Sequence, residues 1–216
     1  CGLYGFKAPF GRVPTSETTF ETLGTLARTF DDMVLMQNVI TGPHPKVHAA
    51  LRQKLDYPRT YGGLKGVRIA LDYFESWIPE GIDPSVREAL ADAAAVLRGQ
   101  GAVVDEVRLG WSYAGQYKTF MHGLLSTGIG AMLLNAGQHR DKLTSYAAHF
   151  LKEARNGGPE AMAAADELAT RLHRQLQQDV FGKGYRVLLM PTLATPYFPA
   201  DNDPTTDTVM VNGKPV

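Results

Sequence analysis

The sequence predicts an α/β fold, and two stretches carry the prediction. In the first, Val67, Ile69, Leu71 and Tyr73 alternate with Arg68, Ala70 and Asp72, a helical pattern follows from Asp83, and Ala102 to Leu109 reads as a second strand. A strand, a helix and a strand in that order form a right-handed crossover between parallel strands. In the second, a long amphipathic pattern runs to Val180, and Tyr185 to Met190 follows as a short apolar strand suited to a sheet interior. At 216 residues, 44% hydrophobic and 20% charged, the chain has the size and make-up of one globular domain or part of one.

The opening run, Cys1 to Pro14, sets three glycines and two prolines among aromatic and basic residues. Glycine permits close backbone approach and proline fixes φ, so a rigid, tightly packed connection is expected. Cys1 is the only cysteine, so it has no internal disulfide partner, and without a nearby activating histidine it reads as a small buried residue. Thr15 to Thr22 reads as loop. Thr29 is placed to cap a helix from Phe30 to Ile40, with Asp31 and Asp32 in the first turn where the helix dipole favours negative charge. Met33, Met36, Gln37 and Ile40 fall on one face, the methionines as core filler, and Thr41-Gly42-Pro43 ends the helix. His44 and His48 would share a helix face, but no third ligand follows at a zinc spacing, so no metal site is expected. The chain to Gly63 reads as a surface connection.

Asp83-Pro84 gives an N-cap and a first-turn proline. Val86, Leu90, Ala93, Ala94 and Leu97 form the buried stripe of that helix, which ends at Gly99-Gln100-Gly101. These glycines follow the helix, opposite to a nucleotide-binding loop. Val103, Val107 and Leu109 share one face of the next strand. Trp111 to Gly157 is mostly helical, with Tyr117, Phe120, Met121, Leu124 and Leu125 on one face, Gly128 and Gly130 as interruptions, and a further helix around Leu143 to Leu151. His122, Ser126, His139 and His149 lie here without a nucleophile elbow or an ordered acid partner, and read as ordinary polar residues.

After Asn156-Gly157-Gly158-Pro159, the residues Ala161, Ala165, Leu168, Ala169, Leu172, Leu176 and Val180 line a long helix that Gly182-Lys183-Gly184 ends. The loop Pro191 to Pro196 lies just past the carboxyl end of a strand, where open α/β sheets bind ligands, and Thr192 is its expected substrate-facing residue. Asp201-Asn202-Asp203 starts like a calcium loop but lacks the glycine and glutamate that would complete one. Asn212 to Val216 adds no expected final element.

Acidic and basic residues balance at 22 each, so no nucleic-acid footprint and no anionic-membrane patch is expected. No apolar run has the length of a membrane span. One cysteine points to a reducing, cytoplasmic compartment.

Several blocks together resemble the amidase-signature family. Cys1 to Val13 is similar to the end of the family's signature, with Cys-Gly, then Gly-Phe-Lys, then Gly-Arg. Leu26-Ala27-Arg28-Thr29 with Asp32 resembles a second block, Met36 to Pro45 resembles the helix end of amidase relatives, and Val187 to Thr192 resembles the late strand with its Pro-Thr loop. Ala8 and Thr25 stand where the family usually has proline, which loosens φ locally. The resemblance implies a three-layer α/β/α fold around a large mixed sheet, of which residues 1–216 are one partial domain, incomplete at both ends.

It also implies hydrolysis of a carboxylic amide by a Ser–Ser–Lys triad, in which a buried neutral lysine acts through a bridging hydroxyl. The family's nucleophile run, Gly-Gly-Ser-(Ile/Val)-Arg, does not occur in these residues, and Lys7 belongs to a block that follows the nucleophile. No catalytic residue is therefore assigned. The segment is expected to supply sheet and pocket walls, Cys1 to Val13 packing behind the parent's nucleophile, and to be inactive and to aggregate or bind its missing half when alone. The implied partner is a small-molecule amide, with no cofactor, no metal, no nucleic acid and no membrane, and a homodimer for the parent. The alternatives are the glutamine-amidase subunit of a tRNA-dependent amidotransferase, which the Met36 to Pro45 run disfavours, and a non-catalytic binding or scaffold remnant.

Overall fold

The computed structural model of the chain describes residues 2–14, 20–78, 80–112, 116–203 and 205–215. It divides into two compact units, Cys1–Gly62 and Gly63–Val216. In the first unit the opening run is more than a connection. Tyr4–Lys7 (β1) and Gly24–Ala27 (β2) pair antiparallel, Tyr4 opposite Ala27 and Lys7 opposite Gly24. Glycine is required at Gly24, because a Cβ there would lie 2.0 Å from the Phe6 carbonyl oxygen.

Helix α1 spans Phe30–Ile40, and Thr29 caps it by accepting from the Asp32 backbone N–H at 3.1 Å. Its inward face is Met33, Val34 and Gln37, whereas Met36, expected inside, is 53% exposed. Gln37 is fully buried and donates to Thr41 Oγ1 at 3.0 Å. Thr25 Oγ1 lies within hydrogen-bond reach of the Met33 carbonyl (3.2 Å) and Gln37 Oε1 (3.3 Å). The hydroxyl that replaces a family proline thus ties β2 to α1. Beyond α1 there is no helix at His44 and His48, so they share no helix face. The segment is pinned instead by Leu51 N–H to the Gly11 carbonyl (2.8 Å) and by two hydrogen bonds between Asn38 and Tyr57.

The second unit is built on Arg68–Leu71 (β3), Pro84–Gly99 (α2) and Val103–Glu106 (β4), with β3 and β4 parallel as the crossover predicts. Asp83 caps α2 and Pro84 opens it. Val187–Leu189 (β5) pairs parallel on the other side of β3, giving the order β4-β3-β5. β5, expected inside a sheet, is an edge strand among the described residues, and Val187 is exposed.

Both sheet faces are covered. Ile69, Leu71, Ala102 and Val104 pack against Leu90 and Ala94 of α2. Ala70 and Leu109 pack with Val180 and Tyr185 on the opposite face, where the helix α6, Pro159–Asp179, ends. Val107 and Leu109 bury the expected face of the β4 run, but Val103 at its start is exposed. In α6 the buried residues are Ala165 and Leu168, and Ala169 falls outside the stripe.

Between β4 and α6 lie α3 (Gln116–Leu125), α4 (Gly128–Ala136) and α5 (Ser145–Glu153). The α3–α4 corner requires Gly130, since a Cβ there would lie 1.7 Å from the Leu125 carbonyl oxygen. On the expected apolar face of α3, Leu125 is buried, but Tyr117 and Phe120 are exposed. The chain also has a final element where none was expected. Met210–Val211 (β6) and Lys214–Pro215 (β7) form an antiparallel hairpin across Asn212 (φ 53°) and Gly213 (φ 73°), the left-handed pair of a type I′ turn. Asn212 Nδ2 also donates to the Glu80 and Ile82 carbonyls at 3.0 Å each.

Candidate functional site

Parallel β3, β4 and β5 deliver their carboxyl ends to one edge, the place where open α/β sheets hold ligands. Asp72, the residue after β3, organises it. The residue is 3% exposed, and its carboxylate accepts from the Phe74 N–H (Oδ1, 2.7 Å) and the Leu109 N–H (Oδ2, 2.8 Å). Its own N–H donates to the Leu189 carbonyl at 3.0 Å. One residue therefore fixes the exits of all three strands. An apolar run ending in aspartate is the only trace of this role in the sequence, and by itself it does not single Asp72 out.

Two features flank Asp72. A cleft of about 240 Å³ is lined by Asp72, Tyr73, Glu75, Ser76, Arg87, Glu106, Val107 and Arg108. Within it the Arg87 guanidinium lies 4.0 Å above the Tyr73 ring and pairs with Glu75, and Arg108 approaches the same carboxylate at 4.0 Å. Next to it Phe74 holds φ 63°, in the left-handed region, and its ring stacks on Trp77 (centroids 5.2 Å) and meets Trp111 edge-on (5.7 Å).

Thr192 is at this edge too, on the loop after β5, but its side chain is exposed and does not line the cleft. The buried hydroxyl of that loop belongs to Thr195. The same loop is tied to α2 by the Asp83 N–H donating to the Ala194 carbonyl at 2.8 Å. At the other end of β3, Arg68 bonds Asp105 (3.2 Å) and the Lys183 carbonyl (2.7 Å), and Tyr185 donates to Asp105 (3.0 Å). These bonds, Arg68 first, hold the Asp105 carboxyl below its ordinary range, so that end is a structural clamp.

In the helical stretch Ser126 and His122 are occupied in packing, whereas His139 is exposed. Ser126 Oγ donates to the His122 carbonyl (2.6 Å) and accepts from the Gly158 N–H (2.9 Å), so it is not paired with the imidazole. His122 Nε2 lies 3.2 Å from Glu153 Oε2, and Asn156 donates to the same oxygen. Both lower the Glu153 carboxyl, His122 more. Among the described residues no three His, Cys, Asp or Glu side chains gather as a metal site, and no helix is long and apolar enough to cross a membrane. Asp203, from the calcium-like run, accepts from Thr205 N–H and Oγ1 at 2.8 and 2.7 Å. Cys1 lies outside the described residues.

The amidase family model matches residues 1–214. The chain is 34% identical over 118 residues to the A subunit of the glutamyl-tRNA(Gln) amidotransferase of Carboxydothermus hydrogenoformans, covering 50% of this chain and 24% of that protein. The same subunit of Neisseria meningitidis serogroup C is 35% identical over 116 residues, with the same coverage. Among solved structures, a bacterial aryl acylamidase of the amidase signature family superposes with TM-score 0.78 at 23% identity, over 100% of this chain and 47% of that one. A 6-aminohexanoate cyclic dimer hydrolase superposes with TM-score 0.69 at 18% identity, over 90% and 43%. These structures share the fold. The chain spans about half the length of its structural neighbours, and its alignments span about a quarter of the curated relatives.

Proposed function

Because the chain belongs to the amidase family, we propose that it forms part of a hydrolase that cleaves a non-peptide carboxylic amide to an acid and ammonia or an amine. The match along residues 1–214 carries this reading. In it, the acyl-enzyme chemistry rests on a serine nucleophile, a bridging serine and a lysine outside these 216 residues, because the Gly-Gly-Ser-(Ile/Val)-Arg run is not among them. The chain contributes the sheet and the pocket walls at the carboxyl edge, with Thr192 reaching the substrate from the Pro191–Pro196 loop. A small-molecule amide as partner, a homodimeric parent and a cytoplasmic location belong to the same proposal.

The test has two arms. The purified 216-residue chain should release neither ammonia nor amine from simple amides, since loss of a nucleophile costs several orders of magnitude in rate. The reading frame upstream of Cys1 should encode the Gly-Gly-Ser run, and the protein expressed with it should hydrolyse amides. Hydrolysis by the 216 residues alone, or an upstream frame without that run, would overturn the reading. In the active protein, Thr192→Ala should lower kcat/KM, and an unchanged value would remove Thr192 from the pocket.

One observation favours a second reading. The curated relatives named above belong to glutamyl-tRNA(Gln) amidotransferases, so the parent could release ammonia from glutamine for a second protein of such a complex. Glutamine hydrolysis that arises only with that second protein would select it.

A further inference from the structure

We propose that Asn156-Gly157 is a self-modification site, where the chain turns its own asparagine into aspartate and isoaspartate and so loosens the joint of α3, α5 and α6. In this step the Gly157 backbone nitrogen attacks the side-chain carbonyl carbon of Asn156. The bond from that carbon to Nδ2 breaks, the proton of the attacking nitrogen reaches the leaving nitrogen through solvent, and ammonia departs. A five-membered succinimide ring remains. Water opens it at either carbonyl, giving aspartate or, with the main chain rerouted through the side chain, isoaspartate. No electrons are exchanged, and water is the co-reactant.

A glycine after asparagine favours this ring closure, because no Cβ hinders the approach. The sequence holds two such pairs, Asn156-Gly157 and Asn212-Gly213, and the structure separates them. Asn156 is exposed and ends the short 3-10 helix Ala154–Asn156, beyond which Gly157 is extended. Its amide donates to Glu153 Oε2 at 3.2 Å, and the attacking Gly157 N–H donates to the Ala154 carbonyl, also at 3.2 Å. Both bonds are at the long end of the N–H···O range, in a turn whose hydrogen-bond geometry is poor. Asn212 instead donates from Nδ2 to two carbonyls, those of Glu80 and Ile82, at 3.0 Å each, and must break both bonds before a ring can close. The fold also retains the labile pair. A Cβ at position 157 would lie 2.9 Å from the Leu125 carbonyl oxygen, so packing against the end of α3 keeps glycine there.

The position of the pair gives the modification its effect. Glu153 Oε2, which accepts from Asn156, lies 3.2 Å from His122 Nε2 and ties α5 to α3. The Gly158 N–H donates to Ser126 Oγ at 2.9 Å and ties the start of α6 to the same corner. A carboxylate at position 156 faces the Glu153 carboxylate where an amide donor stood, and like charges at that range repel. In the isoaspartate form the main chain gains a carbon next to Gly157, where its packing on Leu125 leaves no room. The step uses the chain's own atoms and water, so it stands apart from the hydrolase reading.

The 216-residue chain is incubated at mildly alkaline pH, folded and in denaturant, and peptide mapping by mass spectrometry follows acid formation at both asparagines. In the folded chain position 156 should convert several-fold faster than position 212, and in denaturant the two rates should converge. Conversion at position 156 no faster than at position 212 in the folded chain would overturn the proposal, and that comparison needs no variant. The loosening is read from melting. Asn156→Asp should melt below Asn156→Ala, and the gap should close when Glu153→Gln is added to both. Equal melting of the two variants, or a gap that survives Glu153→Gln, would overturn the effect on the joint. Neither readout involves hydrolysis of an added amide, so this proposal and the hydrolase reading fail independently.

Discussion

Replacing Asp72 with alanine should be among the most damaging single changes in the second unit, and its cost follows from the contacts. Asp72 is 3% exposed, and its carboxylate accepts from the Phe74 and Leu109 N–H groups at 2.7 and 2.8 Å. Alanine leaves two backbone donors at the sheet edge without that acceptor. Each unsatisfied buried donor costs about 1–3 kcal/mol, which puts the loss at roughly 3–4 kcal/mol once relief from burying a charge is subtracted. With a urea slope of about 2 kcal/mol/M, the unfolding midpoint should fall by roughly 1.5–2 M. Asp72→Asn keeps one acceptor oxygen but turns an amide donor toward the other N–H, so about half the loss should remain. Urea titrations followed by tryptophan emission at neutral pH measure this where the tie acts, because both tryptophans pack on Phe74, whose N–H the carboxylate takes. A midpoint for Asp72→Ala within about 0.5 M of the parent would refute the view that this carboxylate holds the strand exits together.

Gly130→Ala should lower Tm despite alanine's helix-propensity advantage of about 1 kcal/mol, because its Cβ would meet the Leu125 carbonyl oxygen at 1.7 Å; an unchanged or raised Tm would show that the α3–α4 corner relaxes freely. Asn212→Ala should cost about 1 kcal/mol more than Asn212→Gly in chemical denaturation, since both lose the bonds to Glu80 and Ile82 but only alanine must hold φ 53°. Glu153 has its carboxyl lowered by His122 and then Asn156, so its contribution is present above the ordinary glutamate pKa of about 4.3 and is lost as pH falls through the lower folded-state value. The Tm difference between the parent and Glu153→Gln should therefore close on the acid side of that range, and a constant difference from about pH 5 downward would contradict the assignment.

What could be read from the sequence was local chemistry. Thr29 before two aspartates, and Asp83 before a proline, announce helix starts that the structure keeps. The alternation around Ile69 and the stripe from Leu90 to Ala94 give the parallel crossover, and the motif blocks give the family. What escaped depended on partners distant in the chain. β1 and β2 are only four residues long and each carries a glycine, and their pairing rests on a close approach that Gly24 allows only next to Phe6. The exposure of Met36 follows from which side of α1 meets Thr25. Asn212-Gly213 is a hairpin signal, but the strands on either side of it are only two residues long and lack an alternating pattern. At the candidate site, the position of the loop with Thr192 was legible from the strand before it. The role of Asp72 was not, because it exists only once β4 lies beside β3.

The strand order β4-β3-β5 also sets a sequence of events in time. Arg68 finds Asp105 37 positions along the chain but must wait 115 positions for Lys183. Closing the longer loop costs about 1 kcal/mol more entropy, and the intervening stretch holds α3 to α6, which must form on the way. On a ribosome, β3, α2 and β4 are therefore assembled while β5 is still being made, and one side of β3 waits with its backbone groups unpaired. The rate at which the later helices carry β5 back determines how long that template stays open to a neighbouring chain.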